Sequence, residues 1–344
     1  MSGATQAPAS YDAAEEFLQH RTPAQRVQTT LHRYPWLSPA IVLILSGIVF
    51  GIINEKFATP NNLSLITQQV AVVGALAVGQ TLIILTAGID LSCGAIMVFS
   101  SMVMAKTAFD HGIPGWLAIL LGLVVGGLAG AANGLLVTRV RLPPFIVTLG
   151  TWNIFTAFTL LYATGRTIRD AELANGLAWL GETFSVGQVR ITVGVLVMIA
   201  LYAVFGFVLR YTAWGRHVYA VGDDADSARL AGIQVQRVLL SVYTVAGVIF
   251  AITAWILIGR VNAASPNSGI DANLDSITAV VIGGTSLFGG RGTVIGSLIG
   301  ALIVGVFRNG LLLAGVNPNY QTLAIGILVI LAVSVDQWIR RARA

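Results

Sequence analysis

Apolar residues run through this chain in blocks long enough to cross a lipid bilayer, separated by short polar or charged segments. A bilayer core takes about 20 apolar residues as a helix. Blocks of that kind predict spans over 37–54, 63–86, 93–108, 115–138, 143–164, 191–209, 238–259, 273–289, 293–314 and 319–336. The third and eighth are short and marked by glycine or serine, which predicts broken or re-entrant helices. The expected fold is an all-α polytopic membrane protein of about ten transmembrane helices. That pattern leaves a polar N-terminal tail over 1–35, a transmembrane domain over 36–338, and a short C-terminal tail at 339–344. Within the first tail, 11–20 fits either a short amphipathic helix or an unstructured stretch.

The placement of arginine and lysine orients these spans. With the N-terminus in the cytosol, the inner segments hold Arg21, Arg26, Arg33, Arg139, Arg141, Arg210, Arg216, Arg229, Arg237, Arg291, Arg340, Arg341 and Arg343. The outer segments hold Lys56, Lys106, Arg166, Arg169, Arg190 and Arg260, a two-to-one bias inward. That bias favours both termini inside and makes 211–237 a cytosolic loop. Removing one short span would put the basic 210–237 segment outside.

Two spans echo each other. Val125-Gly126-x-Leu128-x-Gly130-Ala131 has a counterpart in Ile295-Gly296-x-Leu298-x-Gly300-Ala301. An odd number of spans separates them, so the copies run in opposite directions, as in the inverted repeats of transporters. The same regions carry small residues at every fourth position: Gly122, Gly126, Gly130 and Gly134, then Gly292, Gly296 and Gly300. This spacing stacks them on one helical face and reads as close helix packing rather than ligand binding.

Composition narrows the function. The 344 residues are 56% hydrophobic and only 10% charged, against roughly 25% charged in a soluble globular protein. The net charge of +5 is spread singly between apolar runs, which sets topology and offers no patch for nucleic acid. A single cysteine, Cys93, excludes an intramolecular disulfide. The only lysines, Lys56 and Lys106, follow no glycine-rich loop, so no Walker A phosphate cradle exists. His20, His32, His111 and His217 stand apart without metal-ligand spacing, and no Gly-x-Ser-x-Gly nucleophile occurs.

Ionisable groups at membrane depth are costly and usually functional. Asp90, in Ala87-Gly88-Ile89-Asp90-Leu91-Ser92-Cys93-Gly94, lies between two apolar runs. Its carboxylate or the Ser92 hydroxyl suits capping of the next helix, and a broken helix there suits a permeation path. Asp275, in Asn273-Leu274-Asp275-Ser276, opens the eighth span and admits the same two readings. Gln80, Thr151, Trp152 and Asn153 offer hydrogen bonds and a stacking surface to a neutral polyol, or packing contacts to other helices. Candidate path residues are thus Gln80, Asp90, Ser92, Trp152, Asn153, Asn273 and Asp275. Arg308 is expected near the end of its span, snorkelling to the interface as a structural residue.

Between the sixth and seventh spans runs Gly222-Asp223-Asp224-Ala225-Asp226-Ser227-Ala228-Arg229-Leu230-Ala231-Gly232-Ile233. Asp223 and Asp224 in front and Gly232 behind bracket a polar helix of about two turns. Such a helix has no apolar core of its own and needs either solvent or another protein to rest on. The segment closely resembles the coupling helix of permease subunits in the ribose/xylose/fructose class of bacterial ABC importers. Departures from that pattern are an aspartate for asparagine, Ser227 in a small-residue pair, and Ala231 for serine. Gly88-Ile89-Asp90-Leu91-Ser92 is similar to a second signature of the same family, with Ala87 for a customary glycine and Cys93 for valine. A third lies in Leu274-Asp275-x-Ile277-x-Ala279-Val280-Val281-Ile282-Gly283-Gly284-Thr285-Ser286-Leu287-Phe288-Gly289-Gly290-Arg291-Gly292.

The resemblance covers roughly 38–340 and implies a type II-like ABC importer permease architecture, paired with a second permease copy in the bacterial inner membrane. It implies a cytosolic ATPase that carries ATP and magnesium, with no cofactor bound by this chain, and a periplasmic sugar-binding protein. Asp223, Asp224, Asp226, Ser227, Ala228, Arg229, Leu230 and Gly232 become the expected ATPase contacts. The chain itself is then a transport subunit and not an enzyme. Permeases for nucleosides or branched-chain amino acids are the nearest rivals. An ion-coupled secondary transporter is the rival from another class; it leaves the coupling-like loop unexplained.

Overall fold

A computed structural model of the chain describes residues 36–169, 172–269 and 271–341. The segment 11–20 and most of the two tails lie outside the described residues. The described chain is mostly helical. In order come α1 (Leu37–Ile53), α2 (Pro60–Leu85), α3 (Cys93–His111), α4 (Gly115–Thr138), α5 (Pro144–Ala163), α6 (Val193–Tyr211), the short α7 (Ala213–Asp223) and α8 (Ala225–Leu230), α9 (Val235–Val261), α10 (Ala272–Ile282), α11 (Val294–Leu313) and α12 (Pro318–Arg341). Seven of these, α2 to α6, α9 and α11, are long and apolar enough to cross a membrane among the described residues.

Helix α2 is the hub. Thr59 begins it, its hydroxyl accepting the Asn62 N–H, and Pro60 occupies the first turn, where a missing N–H costs nothing. From Val70 to Leu85 nearly every side chain is buried, because α2 is apolar all round and is enclosed by α6, α9, α10 and α11. By contrast α1 and α5 bury one stripe each and present Ile44, Leu45, Ile52, Ile154, Phe158 and Leu161 outward, as lipid-facing helices do.

The glycine stripes have separate partners. A Cβ on Gly126 or Gly130 would meet the Gly247 carbonyl at 2.6 Å or the Tyr243 carbonyl at 2.2 Å, so α4 and α9 cross backbone to backbone. Gly134 faces Leu240 and Tyr243 on the same helix, whereas Gly122 faces the pliable Met104 side chain of α3. On α11, Gly296 and Gly300 press on the carbonyls of Gly283 and Ala279 in and just after α10. Gly292 does not belong to this stripe. It precedes the Thr293 cap of α11 in a backbone conformation of φ +150°, packed on Thr285.

Three expectations change. The chain is not wholly α: Ile168–Arg169 (β1) pairs antiparallel with Ala263–Ala264 (β4), and Thr183–Val186 (β2) with Val189–Thr192 (β3). These strands lie in the connections, where the run of apolar residues that enforces helix is interrupted. The third span is a full helix of 19 residues, α3. The eighth is shorter than expected: α10 has 11 residues, about 16 Å and half a bilayer core. It ends at Ile282 because the glycines beyond it turn the chain, Gly284, Gly289 and Gly290 all taking positive φ.

Valine at Gly130 should cost at least about 1–3 kcal/mol, since backbone and not a pliable side chain must yield. Alanine at Gly150, where a Cβ meets nothing within 4 Å, should be tolerated. Thermal unfolding of the two variants in detergent micelles checks the contrast.

Candidate functional site

Helix α2 stops at Leu85 in a Schellman motif. The Ala87 N–H reaches the Ile84 carbonyl at 2.9 Å and the Gly88 N–H reaches the Ile83 carbonyl at 3.0 Å. The motif requires a left-handed residue at 87, and Ala87 sits at φ +60°. Alanine is strained there by about 1–2 kcal/mol, which is why a glycine suits the position.

The chain then runs unwound through Ile89, Asp90 and Leu91 before α3 begins. Each exposed carbonyl of this break is met by a side chain from a different helix. Thr148 Oγ1 of α5 reaches the Ile89 carbonyl at 3.0 Å, sharing its proton with the Pro144 carbonyl of its own helix at 2.9 Å. Gln80 Nε2 of α2 donates to Asp90 at 3.1 Å, and Asn273 Nδ2 of α10 to Leu91 at 3.2 Å. The Asp90 carboxylate accepts both the N–H and the hydroxyl of Ser92, each at 2.6 Å, in a tight Asx turn. Asn133 of α4 donates to the Ser92 hydroxyl at 2.8 Å, and Cys93 meets Ser276 of α10 at 3.6 Å.

Asp90 and Ser92 are fully enclosed, as is Gln80. Asp90 therefore fastens the turn ahead of α3, taking the N–H of the N-cap residue Ser92. The knot retains unused capacity: Gln80 Oε1, Asn133 Oδ1 and Tyr243 Oη are buried without a partner.

Four expected path residues, Gln80, Asp90, Ser92 and Asn273, meet here. Asp275 lies one turn along α10 and instead pairs with Arg308 of α11 at 2.7 Å. Arg308, about a third exposed near the end of α11, thus has a partner within the bundle. Trp152 and Asn153 are not brought to the knot. They face outward on α5, with the Asn153 amide bonded to the Leu149 carbonyl of its own helix at 3.0 Å. Asn133, Thr148, Tyr243 and Ser276 join the arrangement unforeseen. Their signal was a lone polar group inside an apolar run, and such groups are too frequent to single out without the fold.

The second feature is the α7–α8 segment. Thr212 caps α7, its hydroxyl accepting the Gly215 N–H at 3.2 Å. The Asp224 carboxylate caps α8, accepting the N–H of Asp226 at 2.9 Å and of Ser227 at 3.0 Å. Those bonds, the Ser227 N–H foremost, hold the Asp224 carboxyl below the usual carboxylate range. The cap consequently persists above that range and is lost only as pH falls through the lowered value. Gly232, at φ +86°, closes the segment. Ala228 is buried, while Asp226 and Arg229 form an exposed pair at 3.0 Å. Leu230 is 91% exposed, an apolar residue presented on a polar helix.

This segment rests directly on the end of α2. A Cβ on Gly222 would lie 1.7 Å from the Leu85 carbonyl, and the Gly290 N–H donates to that same carbonyl at 3.0 Å. Tyr219 Oη donates to the Gly292 carbonyl at 2.9 Å, and Trp214 Nε1 to Ser241 at 2.8 Å. The α7–α8 unit thereby touches the residue that immediately precedes the break.

A bundle of apolar helices interrupted by a satisfied break, with a polar helix pair pressed on its end, has the make-up of a membrane permease. The family model described as branched-chain amino acid transport system / permease component matches residues 62–333, and the chain belongs to that family. The chain is 51% identical to the fructose import permease protein FrcC of Rhizobium meliloti, over 98% of its own length and 95% of that relative. It is 40% identical to the ribose import permease protein RbsC of Bacillus subtilis, over 88% and 92%. Against RbsC of Escherichia coli K12 the identity is 36%, over 86% and 91%. No solved structure matches the chain. It is a multi-pass membrane protein and a transport component.

Glycine at Ala87 should relieve the left-handed strain and stabilise the fold by up to about 1 kcal/mol. Alanine at Asp90 strands the Ser92 donors and should cost about 1–3 kcal/mol. Melting of both variants in micelles, beside the parent, tests the signs.

Proposed function

We propose that the chain forms the translocation path of an ATP-driven importer for a monosaccharide in the bacterial inner membrane. The observation that carries this reading is the α7–α8 segment, which offers an unattached apolar tip, Leu230, and rests through Gly222 on the end of α2. A motor that displaces the segment acts at once on the break around Asp90. The sugar class follows the relatives, whose names specify fructose and ribose, so fructose is the first sugar to test.

Alternating access is the mechanism. ATP and magnesium are held by a separate cytosolic ATPase docked on Asp223, Asp224, Asp226, Ser227, Arg229, Leu230 and Gly232; Ala228, expected among these contacts, is buried against the chain's own helices and drops out. A periplasmic sugar-binding protein delivers substrate to a pair of permease copies. The finer architecture in this reading has about ten spans, both termini in the cytosol, and type II-like halves related as inverted repeats. The two glycine stripes support the repeat, since each belongs to a backbone-to-backbone helix crossing. The family description specifies branched-chain amino acids, but the relatives' names favour a sugar over that alternative.

Purification of the tagged chain from native membranes, with crosslinking, should recover a cytosolic ATPase; its absence removes the ATP-driven reading. Glutamate at Arg229 should lower sugar-stimulated ATP hydrolysis several-fold without affecting insertion of the chain, and unchanged coupling would discharge Arg229. Asp90→Asn should assemble normally yet import fructose several-fold more slowly, whereas parent-like uptake would take the carboxylate out of the path. Uptake lost to a protonophore while cellular ATP is held constant would instead favour ion coupling.

A further inference from the structure

At the end of the bundle away from α7–α8, helices α2, α9, α10 and α11 line a half-open cavity of about 430 Å³. Its volume lies within the range of small-molecule pockets, roughly 300–1,000 Å³. Polar groups come from Gln69, Arg260, Ser268, Asp271, Asp275 and Arg308, with Gln321 of α12 beside them, and the remaining walls are largely apolar, with Val72, Leu257 and Val304 among them. Arg260 and Asp271 lie at helix ends, and the Asp275–Arg308 pair lies a turn or more inside α10 and α11.

That pair is incompletely used. A guanidinium has five donors and a carboxylate about four acceptor sites. Asp275 and Arg308 share one bond, from Nη2 to Oδ1, and Arg308 Nε is buried with no partner. A purely structural ion pair at membrane depth is stable when its remaining donors and acceptors are satisfied by protein. Arg260 and Asp271 form no ion pair among the described residues.

Charge decides what fits. Two carboxylates face two guanidiniums, so the cavity has no net charge and favours neither a cation nor an anion. Carboxylates accept from hydroxyls and guanidiniums donate to them, and each sugar hydroxyl does both. The apolar walls suit the C–H face of a ring. The geometry points to a binding subsite for a neutral polyol, of monosaccharide size, contained within a single copy of the chain and lined by Asp275, Arg308, Arg260 and Asp271. The choice of a sugar as its ligand rests on the monosaccharide reading above; the cavity and its charge balance do not.

Cysteine protection tests it on the full chain in lipid nanodiscs. Ser268→Cys is nearly isosteric and lines the cavity, and Gln69→Cys serves the same purpose from α2. The parent's only cysteine, Cys93, is buried and sets the background for labelling by the neutral reagent N-ethylmaleimide. Millimolar D-fructose or D-ribose should slow labelling of both variants several-fold and saturably. Ser185→Cys, on the exposed hairpin strand, should be unaffected. Adding Asp271→Asn or Arg308→Lys should raise the sugar concentration needed for protection several-fold.

Absence of protection by any monosaccharide at both positions overturns the subsite. So does stronger protection by leucine, which would make it an amino-acid site, or equal protection of Ser185→Cys, which would make the effect global. Fructose and ribose uptake by cells carrying the parent chain judges the importer reading separately. Uptake without protection leaves the importer and removes the subsite; protection without uptake does the reverse.

Discussion

Backbone that leaves the helix inside a bilayer must find every hydrogen bond within the protein, because hydrocarbon supplies none. The rest of this structure is arranged around that demand at Ile89–Leu91. Three successive carbonyls are satisfied by Thr148, Gln80 and Asn273, from α5, α2 and α10. Buried polar groups left unmade cost on the order of 1–3 kcal/mol each, so the three helices are held in register by these bonds as well as by packing. The glycine crossings serve the same end. On the same α4 that crosses α9 without intervening side chains, Asn133 holds Ser92.

Much of this was legible in the sequence because bilayer solvation writes a strong signal. Apolar runs located every long helix, and the Asp224–Gly232 bracket located α8 with its cap and its left-handed stop. Gly88–Ser92 was legible as a break, since a carboxylate between two apolar runs is too costly to leave facing hydrocarbon on an unbroken helix. What stayed hidden was pairwise. Nothing in the α5 pattern distinguishes Thr148, which reaches the break, from Asn153, which turns away on the same helix. Helical phase decides that, and phase depends on which neighbour a helix meets. The pairing of Arg308 was hidden for the same reason: its partner Asp275 is 33 residues away. The eighth span was overestimated because Gly283–Gly290 is apolar enough to read as helix while its glycines adopt turns.

The two ends of the molecule differ in kind. At one, the α7–α8 pair is polar, capped at each start and exposes Leu230. At the other, a net-neutral cavity holds an ion pair with spare donors. Helix α10 connects them: Asn273 bonds to the break, Asp275 faces the cavity, and the glycine turns after Ile282 lead back to Gly290 beside Leu85. A half-length helix suits this position, since it can shift as a short rigid piece while the long helices around it stay packed.

The contact between Gly222 and the Leu85 carbonyl gives that arrangement a particular stiffness. Side-chain torsions are the soft degrees of freedom of a packed protein, and most interfaces between moving parts contain several of them in series. Here two main chains touch with no rotamer between them. A push on α7 is therefore delivered to Thr86–Ser92 without backlash, like a shaft seated hard against its gear.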